Sequence, residues 1–149
     1  PQVIRRLLFG QAQEVARFLA SLALCPAPVV GKQGGEAVVQ AAKARLADCS
    51  IKVIFETALL AADQIVKACE LTEQAGADYV KTSTGFASAG ATLENVRLMK
   101  ATVGDRLKVK SSGGVKTLDQ LIDFMDAGVS RSGCSATASV MSEFEQKAS

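Results

Sequence analysis

Two stretches decide how this chain is read: residues 77–86, ADYVKTSTGF, and residues 107–117, LKVKSSGGVKT. In each, a lysine follows an apolar run of strand character and opens into hydroxyl side chains and glycine. Lys81 and Lys110 stand one strand-helix-strand unit apart, about 30 residues, so they are expected at the ends of consecutive parallel strands. Barrels of parallel strands carry their functional side chains at those ends. Two amines at neighbouring strand ends point to amine chemistry.

Outward from these stretches, the chain from residue 51 alternates short apolar runs with segments of helical period, the pattern of parallel strands joined by helices. Ile51–Glu56 (IKVIFE) predicts a strand, and Leu59–Ala75 a helix that stops at Gly76. Asp78–Thr82 predicts the second strand, Ser83–Ala91 its loop, and Thr92 the N-cap of a helix running toward Gly104. Leu107–Lys110 predicts the third strand. Thr117 and Gln120 form a capping box for a helix with Leu118, Leu121, Ile122 and Met125 inward and Gly128 at its end. Val129–Gly133 predicts a fourth strand, polar for one covered on both faces, and Ser135–Lys147 a last helix.

Four such units are half of a (β/α)8-barrel. The first fifty residues do not supply the other half: Gln11–Leu24 and Gly35–Asp48 have helical patterns, Val3–Phe9 is a strand candidate interrupted by Arg5 and Arg6, and Cys25–Gly35 reads as a loop. The expectation is one α/β domain over residues 1–149 of the TIM-barrel class. The four units fall within residues 35–149.

Composition excludes several classes. With 21% charged and 48% hydrophobic residues and a net charge of +2, neither a disordered tail nor a nucleic-acid-binding surface is indicated. Cys25, Cys49, Cys69 and Cys134 form no CxxC pair, and no histidine is present to complete a metal site, so reduced, mostly buried thiols and no metal are expected. Charges break the stretch Val3–Leu24, which fits neither a membrane span nor a signal peptide. A cytoplasmic location follows as the expectation.

An amine that attacks a carbonyl must be neutral, yet a free lysine is neutral in only about one molecule in 2,500 at pH 7. Partial burial and a neighbouring cation both lower its pKa. Strands about 4.8 Å apart would make Lys81 and Lys110 such a pair. Lys108 shares a strand face with Lys110, so the strand alone leaves open which of the two acts; Lys116 and Lys52 read as solvated charges. Gly113 and Gly114 leave amides open just before a helix N-terminus, a ready anion site. The loop Thr82–Gly85 and the turn Gly133–Ser135 offer it further hydroxyl and amide donors.

VKTSTGF around Lys81, VKSSGGVKT around Lys110 and TALL after IKVIFE resemble the deoxyribose-phosphate aldolase family, over Gly35–Met141. The resemblance implies that residues 35–149 are the C-terminal half of the barrel and that 1–34 are divergent or rearranged, and it implies a class I aldolase without metal or organic cofactor. Its partner would be a small phosphorylated sugar, 2-deoxyribose 5-phosphate, cleaved to glyceraldehyde 3-phosphate and acetaldehyde. It implies that Lys81 forms the Schiff base and that Lys110 keeps it deprotonated and assists proton transfer. Gly85, Gly113, Gly114 and Ser135 match positions that hold the substrate phosphate.

Two departures accompany the match. The family's relay aspartate at the end of its fourth strand has no counterpart, since the first aspartate here is Asp48, and the paired serine of the last phosphate loop reads Cys134–Ser135. The alternative is therefore a non-catalytic truncated remnant serving as a binding or assembly piece. Open sheet edges invite pairing with another chain. Self-association is expected, a homodimer in which two four-strand halves close one barrel about a two-fold axis.

Overall fold

The computed structural model of the protein describes residues 32–46 and 48–148. The expected strand at Val3–Phe9, the helix at Gln11–Leu24, most of the loop Cys25–Gly35 and Cys25 itself lie outside the described residues. The elements run α1 (Lys32–Arg45), β1 (Lys52–Ile54), a 3-10 turn (Thr57–Leu59), α2 (Ala62–Gln74), β2 (Tyr79–Lys81), α3 (Leu93–Val103), β3 (Lys108–Ser112), α4 (Leu118–Asp126), β4 (Val129–Gly133) and α5 (Thr137–Ala148). The four strands form one parallel sheet in chain order.

Side chains alternate across this sheet and divide its residues between two purposes. Val53, Val80 and Val109 stand in one register row and are buried under the helices. Against them pack Ile65, Ala68 and Cys69 of α2 and Val96, Met99 and Val103 of α3, which recur at helical spacing. Full burial of each larger apolar side chain contributes about 1.5–3 kcal/mol. The opposite face carries Lys52, Tyr79, Lys81, Lys108 and Lys110, so the pleat that builds the core also gathers the lysines.

The helix starts follow the expected caps. Thr92 Oγ1 accepts from the Asn95 amide at 3.2 Å. Thr117 Oγ1 accepts from the Gln120 amide at 3.2 Å, and Gln120 Oε1 accepts in return from the Thr117 amide at 3.3 Å. Boundaries differ elsewhere. Helix α1 begins at Lys32 rather than Gly35, because glycines 34 and 35 fall in a first turn whose amides have no intrahelical partner to lose. The helix expected from Leu59 is a 3-10 turn followed by α2, whose start is marked by the Ala61 amide donating to Gln64 Oε1 at 2.8 Å.

In α4 the buried residues are Leu118, Leu121 and Phe124, while Ile122 is 38% exposed. Phe124 is the bulkier side chain and centres the apolar stripe on Leu121, which leaves Ile122 at its edge. The polar strand β4 is explained by two features. Ser132 is buried against Ser111, with the two hydroxyl oxygens 2.8 Å apart, so each hydroxyl is satisfied under the helices. Between Val109 and Lys110 the register shifts, Val109 pairing Val129 and Lys110 pairing Arg131, so Ser130 is the extra residue of a β-bulge. Its hydroxyl donates to the Val109 carbonyl at 3.2 Å. The bulge turns Arg131 onto the lysine face.

Candidate active site

Lys81 and Lys110 are Cα register partners on β2 and β3, as their sequence contexts predict. Both are half-buried. Burial is the main cause that lowers the Lys110 ammonium to a pKa of about 8, and the charges of Lys81, Lys52 and Arg131 add to it in that order. Lys81 is lowered too, chiefly by burial, but the Glu56 carboxylate opposes the shift. The repulsion between the two ammonium groups is mutual and favours the neutral form of either, so the two amines titrate as a pair.

Lys52 is not the solvated charge its sequence context suggests. It is half-buried, its pKa is lowered by burial and then by Arg131, and its Nζ lies 5.1 Å from the centre of the buried Tyr79 ring. Lys108 Nζ at 5.7 Å and Arg131 Cζ at 5.0 Å approach the same ring. Five cations thus share one face of a four-stranded sheet. None of the ion pairs among the described residues reaches them.

The loops at the strand ends are held by side chains that the sequence offers as phosphate donors. Thr82 is buried, donates its hydroxyl to the Ser112 carbonyl at 3.2 Å and accepts from the Ser112 amide at 3.1 Å. Thr84 gives its hydroxyl and its amide to Glu56, the amide lying 3.1 and 3.3 Å from the two carboxylate oxygens. Both threonines are therefore occupied in joining strands. The Ser83 hydroxyl is buried without a partner among the described residues.

Gly85, Gly113 and Gly114 have φ of 100°, 84° and 73°, the left-handed region that favours glycine. Gly85 and Gly113 lie back to back, and Gly90 presses on the same turn, where an added Cβ would lie 2.2 Å from the Gly113 carbonyl oxygen. The Ala91 amide donates to the carbonyls of Ser112 and Gly113, both at 3.1 Å. The amides of Gly113 and Gly114 have no acceptor among the described residues. Exposed Ser135 sits in the β4–α5 turn, where Cys134 Sγ donates to the Val115 carbonyl at 3.1 Å. The structure thus brings Gly85 and Gly113 together, with Ser135 on the adjoining turn.

Sequence reasoning missed Glu56 and Gly90. Glu56 ends the run IKVIFE, and a carboxylate just past a strand end is the signal that marks it; Gly90 lies unmarked within the loop Ser83–Ala91. A mostly apolar hollow of about 390 Å³ lies between α1 and the start of β1, lined by Val38, Ala42, Arg45, Leu46, Cys49 and Ile51, and none of the candidate site residues lines it. Among the described residues no group of three or more His, Cys, Asp or Glu side chains gathers to hold a metal ion. No helix among them is long and apolar enough to cross a membrane.

Residues 35–136 match the family model described as DeoC/LacD family aldolase. The chain is 53% identical over 110 residues to a deoxyribose-phosphate aldolase of Staphylococcus epidermidis RP62A, covering 74% of this chain and 48% of the relative. It is 54% identical over 114 residues to deoxyribose-phosphate aldolase 2 of Staphylococcus aureus COL, covering 76% and 50%. It superposes on the tetrameric deoxyribose phosphate aldolase of Aeropyrum pernix with a TM-score of 0.70 at 26% identity, over 78% of this chain and 49% of that one. The chain spans about half the length of the curated relatives it matches. Its four units are part of a TIM-barrel fold.

Proposed function

Since the chain belongs to the DeoC/LacD family of aldolases, we propose that it carries the lysine pair of a class I deoxyribose-phosphate aldolase acting in the cytoplasm without metal or organic cofactor. The observation that supports this most is the register pairing of two half-buried lysines with lowered pKa at adjacent strand ends. Lys81 is the nucleophile by its place in the VKTSTG loop. Its neutral amine adds to the C1 aldehyde of 2-deoxyribose 5-phosphate, and loss of water gives the iminium ion. The C2–C3 bond then breaks, its electrons passing into the enamine as the C3 hydroxyl gives up a proton and becomes the aldehyde of glyceraldehyde 3-phosphate.

Lys110, with a pKa of about 8, is poised to accept that proton and return it to C2 of the enamine. Hydrolysis then frees acetaldehyde and the Lys81 amine. The open amides of Gly113 and Gly114, with Gly85 and Ser135, hold the phosphate away from the amines. Borohydride trapping with 2-deoxyribose 5-phosphate tests this. A reduced adduct on Lys81 by peptide mass spectrometry, lost in Lys81→Ala, is expected; a folded sample without it overturns the proposal.

A second reading, a binding or assembly piece without turnover, is favoured by the five cations that share the sheet face while Glu56 is the carboxylate facing Lys81. Assembly belongs to both readings. Among the described residues β1 and β4 each have one strand neighbour, and two copies that pair these edges would close an eight-stranded barrel. A strictly monomeric mass by light scattering, with a cooperative melt, overturns that arrangement.

A further inference from the structure

Glu56 is the only residue other than glycine with positive φ among the described residues, at φ 55° and ψ 60°. A glutamate gains nothing locally from the left-handed region, so its surroundings hold it there. The cause is visible in the ladder. The Phe55 amide donates to the Lys81 carbonyl at 2.9 Å, and the Thr57 amide donates to the Thr82 carbonyl at 3.0 Å. A regular parallel ladder would carry Thr57 on to residue 83. The chain instead turns back at Glu56, and the turn aims its side chain across β2 at the loop beyond Lys81.

That side chain takes both donors of Thr84, the hydroxyl and the amide. Thr84 stands between Lys81 and Gly85, and it also accepts from the Phe86 amide at 3.2 Å. The strained backbone, the carboxylate and the loop form one clamp. Strain kept at one position by its surroundings is a pointer to function.

We propose that Glu56 is the positioning residue of this site: it fixes the loop from Thr82 to Gly85 on the end of β1 and, through that loop, the strand end that carries the Lys81 amine. One side chain then sets both the amine and Gly85, where the sugar phosphate would be held, a consequence that rests on the aldolase proposal. The charged groups that face Lys81 are Glu56 and Lys52 from the β1 side and Lys110 from β3. Glu56 is the one among them that favours the ammonium form. Removing its charge should therefore ease deprotonation of Lys81.

The test is competitive acetylation of the whole chain with trace acetic anhydride across a pH series, each lysine read by peptide mass spectrometry. No sugar is involved, so a chain that forms no Schiff base still answers, and the trapping experiment above fails independently of this one. In Glu56→Gln, which keeps an acceptor for the Thr84 amide, the Lys81 titration midpoint is expected to move to lower pH while that of the distant Lys100 stays. In Glu56→Gly, which relieves the positive φ, the same shift is expected, with faster hydrogen exchange at the Thr84 amide. A Lys81 midpoint unmoved in either folded variant, or Thr84 exchange unchanged in Glu56→Gly, overturns the proposal. If the glutamine variant fails to fold, the glycine variant decides.

Discussion

Lys81 and Lys110 face each other in register on adjacent parallel strands, and it is Lys110 whose proton is held more weakly, at a pKa of about 8. The cost of that weak hold is charged to the folded state. The ordinary value is 10.5, so between about 8 and 10.5 the folded chain binds fewer protons than the unfolded chain, and stability rises with pH through that window. Below it, the folded chain carries a half-buried ammonium beside Lys81, Lys52 and Arg131. Lys110→Met is expected to stabilise the protein near neutral pH by about 1 kcal/mol after allowance for solvent screening, or about 2–4 °C in Tm. The gain should vanish above pH 10.5; urea melts at the two pH values check it.

Thr82→Val removes both bonds between the Thr82 hydroxyl and Ser112. The buried Ser112 amide then lacks an acceptor, which costs about 1–3 kcal/mol. Faster hydrogen exchange at Ser112 and a lower Tm are expected, although valine nearly matches threonine in shape.

Gly90→Ala places a methyl group 2.2 Å from the Gly113 carbonyl oxygen, against backbone that has no side chain to swing aside. Overpacking of this kind costs about 1–3 kcal/mol, and the two loops should part. Gly114→Ala is the contrast, because nothing lies within 4 Å of its Cβ and only its φ of 73° resists. Thermal melts, with inorganic phosphate followed by NMR titration, should show the larger loss of stability and of phosphate binding in Gly90→Ala.

Cys69 is fully buried, and burial is the main cause that pushes its thiol up to about 12. The thiolate is the reactive form. Alkylation of the native protein is expected to modify Cys49 and Cys134, which are partly exposed, and to spare Cys69 until denaturant is added. Modification of Cys69 at the rate of Cys134 would contradict this packing.

The strand order and the lysine pairing were legible because they rest on periodicity and local motif. Alternation around Val80 and Val109 places the lysines opposite the core, and the caps at Thr92 and Thr117 are written in four residues each. What was not legible depends on two distant segments meeting. Glu56 acquires its role from Thr84, Gly90 from Gly113, and Lys52 from the ring of Tyr79. The extra residue in β4 is likewise set by its pairing with β3, since VSRSG alternates evenly on its own. The loop threonines also take their partners from across the sheet, Ser112 for Thr82 and Glu56 for Thr84.

The sheet whose strands follow chain order has a kinetic corollary. Among the described residues each strand pairs with the next along the chain, so these three pairings wait for no distant segment, and the loop-closure entropy is met one unit at a time. Such a chain can add β2 to β1, then β3, then β4, as synthesis delivers them. Lys81 and Lys110 would then come together before β4 exists, and the arrival of Arg131 would be the last step to press on Lys110.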